Sequence, residues 1–86
     1  MGLNCYIYAS KNGSNLKCVK YFRKHYKLHN AIHKVKNVSE LPDTTTLTYK
    51  ELEEVCYHLI EDDHIIKELS DVLDKFYNHD LMYVWD

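Results

Sequence analysis

The sequence is poor in the residues on which catalytic loops and covalent frameworks depend. Its 86 residues include only two glycines and one proline, and they contain no Gly-rich phosphate loop, GxSxG motif or kinase-like motif. A backbone with so little glycine lacks the freedom that phosphate-binding loops need. Three cysteines without CxxC spacing predict small buried side chains in a reducing compartment rather than a disulfide framework. We therefore predict a protein that is not an enzyme and that carries no cofactor.

Long apolar segments are also missing. No apolar run approaches the roughly 20 residues that span a bilayer, and the first residues lack the charged start and apolar region of a signal peptide. A chain of this length buries only about 60 to 65% of the surface of its unfolded form, which disfavours a deep catalytic cavity. We expect one domain, residues 1–86, located in the cytoplasm and without membrane contact.

Charge is divided unevenly along the chain. The first 36 residues carry eight basic residues and no acidic one, whereas residues 37–86 hold all thirteen acidic residues and three basic ones. This asymmetry indicates either two halves that neutralise each other when packed or one half that meets an external charged partner. The sequence leaves both interpretations open.

The most basic stretch, residues 15–36, is predicted to form a two-faced helix with Ser14 as its N-cap. At about 100° per residue, its opposite side collects aromatic residues and three histidines. The cationic sector of about 120° is formed by Lys17, Lys20, Arg23, Lys24, Lys27 and Lys34.

A rival prediction starts that helix only near Arg23. It places a hairpin turn at Asn12 and Gly13 and a second strand over residues 16–22. Apolar and polar residues alternate poorly in that segment, because Val19 and Phe22 cannot lie on the same face of a regular strand. We therefore favour the early helix start.

The remaining pattern predicts a small α+β domain in the order β-α-β-α-α-β, in which about three strands form an antiparallel or mixed sheet packed by three helices. The predicted strands cover residues 5–10, 44–48 and 81–85. Thr48 and Glu51 form a Thr-x-x-Glu capping box that begins the second helix, and the acidic run 61–63 separates it from the third. The predicted apolar faces of these helices extend to Ile60 and Tyr77.

Three histidines, His25, His29 and His33, follow one another at helical spacing. A pair at i, i+4 is the geometry with which a helix offers two imidazoles to one zinc ion. All three cannot bind the same ion, because His25 and His33 would lie about 12 Å apart along the helix. We predict no metal site and expect these histidines in the core or at a contact surface; a metal-dependent enzyme is our third hypothesis.

The sequence is compatible with two kinds of charged contact with a partner. Basic side chains with nearby tyrosines are typical of nucleic-acid binding, and here they are Lys17, Lys20, Arg23, Lys24 and Lys27, with Tyr21 and Tyr26 for stacking. Alternatively, the acidic second half occupies a basic protein surface where nucleic acid would otherwise bind.

Residues 21–31, YFRKHYKLHNA, resemble a motif of a group of small bacteriophage proteins. The family pattern is Tyr-Trp-Arg-Lys, one residue, Asn, one residue, Ile or Leu, and His, with an aromatic residue two positions later. Arg23, Lys24 and His29 match its polar positions. Residues 47–55 are similar to the family's strand-to-helix step. The resemblance implies a phage or prophage accessory protein, of the kind that binds a host protein and counters host defence, as anti-CRISPR proteins do.

We therefore predict a phage-encoded, non-enzymatic binding protein that inhibits a host defence factor through a charged surface. The predicted target is a host protein or ribonucleoprotein, in particular a nucleic-acid-dependent complex such as a CRISPR effector, and homodimer formation is left open. The alternative is a small nucleic-acid-binding protein that uses the basic helix 15–36. The candidate partner-binding residues are Tyr21, Arg23, Lys24, Tyr26, Lys27, His29, Glu53, Glu54, Asp62 and Asp63.

Overall fold

The computed structural model describes residues 3–13 and 15–86, which form a four-stranded antiparallel sheet and three α-helices. In chain order the elements are β1 (Asn4–Ser10), β2 (Lys17–Arg23), α1 (Tyr26–Lys36), β3 (Thr44–Leu47), α2 (Tyr49–His58), α3 (Asp63–Lys75) and β4 (Asp80–Trp85). The strands are arranged as β2-β1-β4-β3. The predicted α+β class and the three helices are confirmed, whereas the sheet contains one strand more than predicted.

The extra strand replaces the first half of the predicted helix over residues 15–36. Lys17–Arg23 is a strand that pairs antiparallel with β1, and α1 begins only at Tyr26. Asn12 and Gly13 turn the chain with positive φ angles of 53° and 77°, which these two residue types adopt more readily than others. The rival hairpin prediction is therefore confirmed and the early helix start is wrong. Ser14, the predicted N-cap, lies outside the described residues.

A β-bulge accounts for the poor alternation in β2. The pairing shifts between Ile7 and Tyr8, which leaves Val19 as an extra residue on β2 without a partner on β1. Such a bulge changes the face on which the following side chains lie. Val19 and Phe22 consequently both pack against the core, although a regular strand would place them on opposite faces.

The helices cover one face of the sheet. On β1, Cys5, Ile7 and Ala9 are buried and alternate with the half-buried Tyr6 and Tyr8 on the other face. This period of two separates a core face from an outer face. The helices contribute to the same core Leu28 and Ile32 from α1, Leu52 and Val55 from α2, and Ile65, Leu69 and Val72 from α3.

Each helix begins at a side chain that accepts a hydrogen bond from its first turn. Thr48 Oγ1 accepts from the Glu51 backbone N–H at 3.0 Å, and the Glu51 carboxylate accepts from the Thr48 N–H at 2.9 Å, so the predicted capping box is confirmed. His25 Nδ1 caps α1 at 3.1 Å and Asp62 Oδ1 caps α3 at 3.2 Å. A polar cap of this kind typically stabilises a helix by about 1 kcal/mol. In the described part of the chain, no helix is long and apolar enough to cross a membrane.

Candidate partner-binding surfaces

The connection from β2 to α1 brings several of the predicted contact residues together. Arg23, Lys24, Tyr26 and Lys27 are all exposed there. Lys24 has a φ of 56° and its backbone N–H donates to the Leu3 carbonyl, which ends β2 and turns the chain into α1. Among residues 3–13 and 15–86, Arg23, Lys24 and Lys27 form no ion pair. This connection therefore carries exposed positive charge beside an exposed tyrosine, and Lys27 lines a pocket together with Glu61 and Asp62.

Other basic residues of the first half bind the acidic second half. Lys20 lies on the helix side of β2 and forms an ion pair with Glu68, while Lys36 Nζ lies 3.1 Å from the Glu51 carboxylate. Burial favours a higher pKa for Glu51, but hydrogen bonds from Thr48 and Lys36 outweigh it and hold the pKa below its ordinary value. The continuous cationic sector predicted for residues 15–36 is therefore not formed, because the strand places Lys20 against α3.

His29 was predicted to contact a partner, but it is half-buried and contributes to a chain of polar groups inside the domain. Its Nδ1 lies 2.7 Å from the hydroxyl of Tyr83, and that hydroxyl donates to Cys5 Sγ at 3.2 Å. The Tyr83 hydroxyl therefore lies between the imidazole of His29 and the thiol of Cys5 and contacts both. His29 therefore orients Tyr83, whose side chain is fully buried.

This polar chain is held in its neutral form. Burial, and then the nearby His33, lower the pKa of His29. Burial raises the pKa of Cys5, and the pKa of Tyr83 lies well above its ordinary value because of burial and the contact with Cys5. A lowered pKa for the base and raised pKa values for the two acids mean that none of these groups is charged near neutral pH.

The three histidines that the spacing grouped have separate partners. His25 caps α1 and its Nε2 lies 3.8 Å from Asp62, His29 contacts Tyr83, and His33 Nε2 lies 2.6 Å from the Val38 carbonyl. Within residues 3–13 and 15–86, no group of His, Cys, Asp and Glu side chains is placed to hold a metal ion.

Acidic side chains on the helical layer differ in how they are used. Asp62 caps α3 and lies near His25, so it belongs to the structure of the helix start. In the described part of the chain, five exposed carboxylates of this layer have no cationic partner. They are Glu53, Glu54, Glu61, Asp63 and Asp74. Of the predicted acidic contact residues, Glu53, Glu54 and Asp63 are therefore available to a partner.

A groove runs between the outer sides of α2 and α3. One part of about 300 Å³ is lined by Glu53, Tyr57 and Ile60 among others, and a second part of about 480 Å³ by Tyr49, Asp74 and Tyr77. Both parts share Leu73 as a lining residue. Burial, and then the Glu53 carboxylate, raise the pKa of the Cys56 thiol in the groove.

The aromatic and aliphatic residues of this groove were missed at the sequence level. Ile60 and Tyr77 were predicted as core residues, yet they are 68% and 67% exposed. The reason is that α2 ends at His58 and α3 at Lys75, so the helical periodicity does not extend to either residue. Tyr57 is 77% exposed. The spacing of Tyr49, Glu53 and Tyr57 at i, i+4, i+8 was the available signal for a second stripe on α2.

Tyr21 lies on the outer face of the sheet, apart from the β2–α1 connection. Its ring centroid is 5.1 Å from that of Tyr6, and its hydroxyl donates to Asn4 Oδ1 at 2.7 Å. Tyr8 continues this row, with its ring centroid 6.3 Å from that of Tyr6. The predicted contact residues are thus divided among the outer sheet face, the β2–α1 connection, the interior at His29, and the acidic helical layer.

Comparisons of the chain with protein-family models, with curated proteins and with solved structures found no match. The phage origin implied by the motif around Arg23, Lys24 and His29 therefore stays a prediction. Function has to be argued from the surfaces themselves.

Proposed function

We propose that this protein is a non-enzymatic binding protein of phage origin that inhibits a nucleic-acid-dependent host defence complex such as a CRISPR effector. The observation that carries the proposal is a set of exposed carboxylates on α2, α3 and the turn between them, which have no cationic partner among residues 3–13 and 15–86. A protein that binds nucleic acid presents a cationic surface, and a layer of carboxylates is complementary to such a surface.

The division of the basic residues supports the same proposal. Lys20 on β2 pairs with Glu68 on α3, and Lys36 at the end of α1 pairs with Glu51 on α2. Those two carboxylates are paired internally, whereas Glu53, Glu54 and Glu61 form no ion pair with any residue that the structure describes. The negative charge that remains is therefore presented outward by a layer that the internal ion pairs fix in place.

The first experiment is capture of partners with the tagged protein from bacterial cells, with and without nuclease treatment, followed by mass spectrometry. We expect a stoichiometric protein partner that survives nuclease treatment and whose nucleic-acid-dependent activity is inhibited. Recovery of many nucleic-acid-associated proteins that disappear on nuclease treatment would contradict the proposal.

Neutral variants identify the contributing surface. The triple substitution Glu53→Gln, Glu54→Gln and Glu61→Gln removes three exposed carboxylates without touching a helix cap, and we expect partner affinity to fall by about tenfold or more. The matched control neutralises three exposed carboxylates elsewhere and is expected to bind as the wild type does; it consists of Glu40→Gln, Asp43→Asn and Asp80→Asn. An equal loss of partner affinity in both triple variants would show that the acidic layer does not make the contact.

A second candidate function is direct nucleic-acid binding, which one observation favours. Arg23, Lys24 and Lys27 are exposed and unpaired within the described residues, beside Tyr26, which is 56% exposed. Lys20, predicted to join them, is instead held by Glu68. The cationic surface is thus smaller than the sequence predicted.

Charge reversal of Arg23 and Lys27 tests this second candidate. We leave Lys24 unchanged because its φ is positive, so a substitution there would change the backbone conformation as well as the charge. If the candidate is correct, the wild type binds single-stranded nucleic acid with a log–log salt slope of about −0.7 per phosphate contacted, and the variant loses binding. The control variant reverses Lys50 and Lys67, which are exposed on α2 and α3.

A further inference from the structure

The groove between α2 and α3 has the shape and the chemistry of a docking site for a peptide element. Tyr57 and Ile60 are among its most exposed side chains, and Tyr77 stands at its other end. Its carboxylates come from Glu53 on one helix and Asp74 on the other. No lysine or arginine lines either part of it in the described chain. A surface with large uncovered apolar side chains beside polar ones is typical of an interaction site.

We propose that this groove binds a basic amphipathic α-helix of a partner protein, about three turns long. Its apolar side chains contact Tyr57, Ile60 and Tyr77, and its lysine or arginine side chains lie against Glu53 and Asp74. This inference rests on the proposed function, since it names the element of the host partner that the acidic layer contacts.

The geometry favours a helix over an extended segment. The groove is bounded by two helices whose interior backbone groups are paired within each helix, so it offers no continuous row of N–H and C=O groups to a strand. A helix satisfies its own backbone hydrogen bonds and needs only side-chain contacts from the groove. α2 contains ten residues and is therefore about 15 Å long, which matches a partner helix of about three turns.

The negative charge of the groove determines which kind of partner it can bind. Glu53 and Asp74, the two carboxylates that line the groove, are exposed and form no ion pair in the described part of the chain. A second copy of this chain would bring the same carboxylates against them, and like charges in contact oppose association. A helix with basic residues beside its apolar face instead pairs these carboxylates and covers the apolar side chains at the same time.

A model peptide tests the inference independently of any host factor. The probe is a labelled peptide of about 16 leucine and lysine residues, with leucine at i, i+3, i+4 and i+7 so that it folds with one apolar face. Two controls are a peptide of the same composition with its leucines scattered around the helix, and a leucine–glutamate peptide with the original spacing. Fluorescence anisotropy gives the dissociation constants, and NMR shift mapping gives the site.

We expect the amphipathic basic peptide to bind at least about tenfold more tightly than the scattered peptide, and the acidic peptide not to bind. Tyr57→Ser and Ile60→Ser should each weaken binding about threefold to tenfold. Leu16→Ser, which removes an exposed apolar side chain from another surface, should leave it unchanged. Equal binding of the scattered peptide, or equal loss in Leu16→Ser, would overturn the inference.

The two proposals fail in different ways. If the basic peptide does not bind, but partner capture still depends on Glu53, Glu54 and Glu61, the acidic layer contacts a partner surface that is not a helix and only this inference falls. If the peptide binds in the groove and no host partner is captured, the groove remains a helix-binding site and the proposed inhibitor function falls.

Discussion

Tyrosine is used in opposite ways at the centre of the sheet and in the groove between α2 and α3. Tyr83 is fully buried, and its hydroxyl contacts both His29 and Cys5. Tyr57 and Tyr77 are 77% and 67% exposed, and no described residue forms a hydrogen bond with either hydroxyl. Tyr83 contributes to the stability of the fold. Tyr57 and Tyr77 instead expose both the apolar ring and the hydroxyl group, which makes them accessible to a binding partner.

The charged residues show the same division. Lys20 and Lys36 form ion pairs with acidic residues of α3 and α2. These pairs offset part of the free-energy cost of removing the charges from water when the two halves pack together. Arg23 and Lys27 remain unpaired within the described residues, as do Glu53 and Glu54. The half-buried pairs join elements of the fold, whereas the exposed charges remain accessible to solvent.

The largest expected difference between the two kinds of tyrosine is in stability. Tyr83→Ala should lower the free energy of unfolding by about 3–5 kcal/mol, since it opens a cavity among core side chains. Tyr57→Ala should change it by no more than about 0.5 kcal/mol, because that side chain is exposed. Urea unfolding followed by circular dichroism measures both.

If Tyr83→Ala does not fold, Tyr83→Leu fills part of the same space and keeps the comparison measurable. Similar destabilisation by Tyr83→Leu and Tyr57→Leu would show that the two tyrosines are not used differently.

A smaller effect isolates the hydroxyl of Tyr83 from its ring. Tyr83→Phe keeps the aromatic contacts but leaves His29 Nδ1 and Cys5 Sγ without the hydroxyl that both contact, so we expect a loss of about 1–3 kcal/mol. Tyr57→Phe, the matched control, should be neutral in unfolding. An unfolding free energy for Tyr83→Phe equal to that of the wild type would mean that the polar chain adds nothing to stability.

The sequence predicts α2 and α3 well because their starts are encoded locally. Thr48 and Glu51 lie three residues apart and close the capping box by themselves, and Asp62 caps α3 in the same way. Strand β2 is different, since Val19 fits there only through a bulge against β1. That pairing is formed between distant residues, and periodicity within a single segment does not contain it.

The candidate site was predicted in part for a similar reason. Glu53 and Glu54 were identified because charge is visible in a sequence. Ile60 and Tyr77 were assigned to the core because helical periodicity continues formally past Leu59 and Phe76, whereas the chain leaves the helix there. Burial of His29 against Tyr83 joins residues 54 positions apart, and no local pattern indicates such a contact.

The smallest expected effect is a pH dependence that distinguishes the buried polar chain from the exposed surface. The pKa of His29 is lowered in the folded protein, first by burial and then by His33, so the unfolded chain binds the proton more readily. Its contribution to stability is complete above the unfolded pKa of about 6.5 and falls as the pH drops below that value.

We expect the unfolding free energy to decrease between pH 7.5 and pH 5.5, and to decrease less in His29→Asn, whose amide keeps a donor near the Nδ1 position. If His29→Asn and the wild type show the same slope, the neutral chain from His29 through Tyr83 to Cys5 does not control the acid response of the fold.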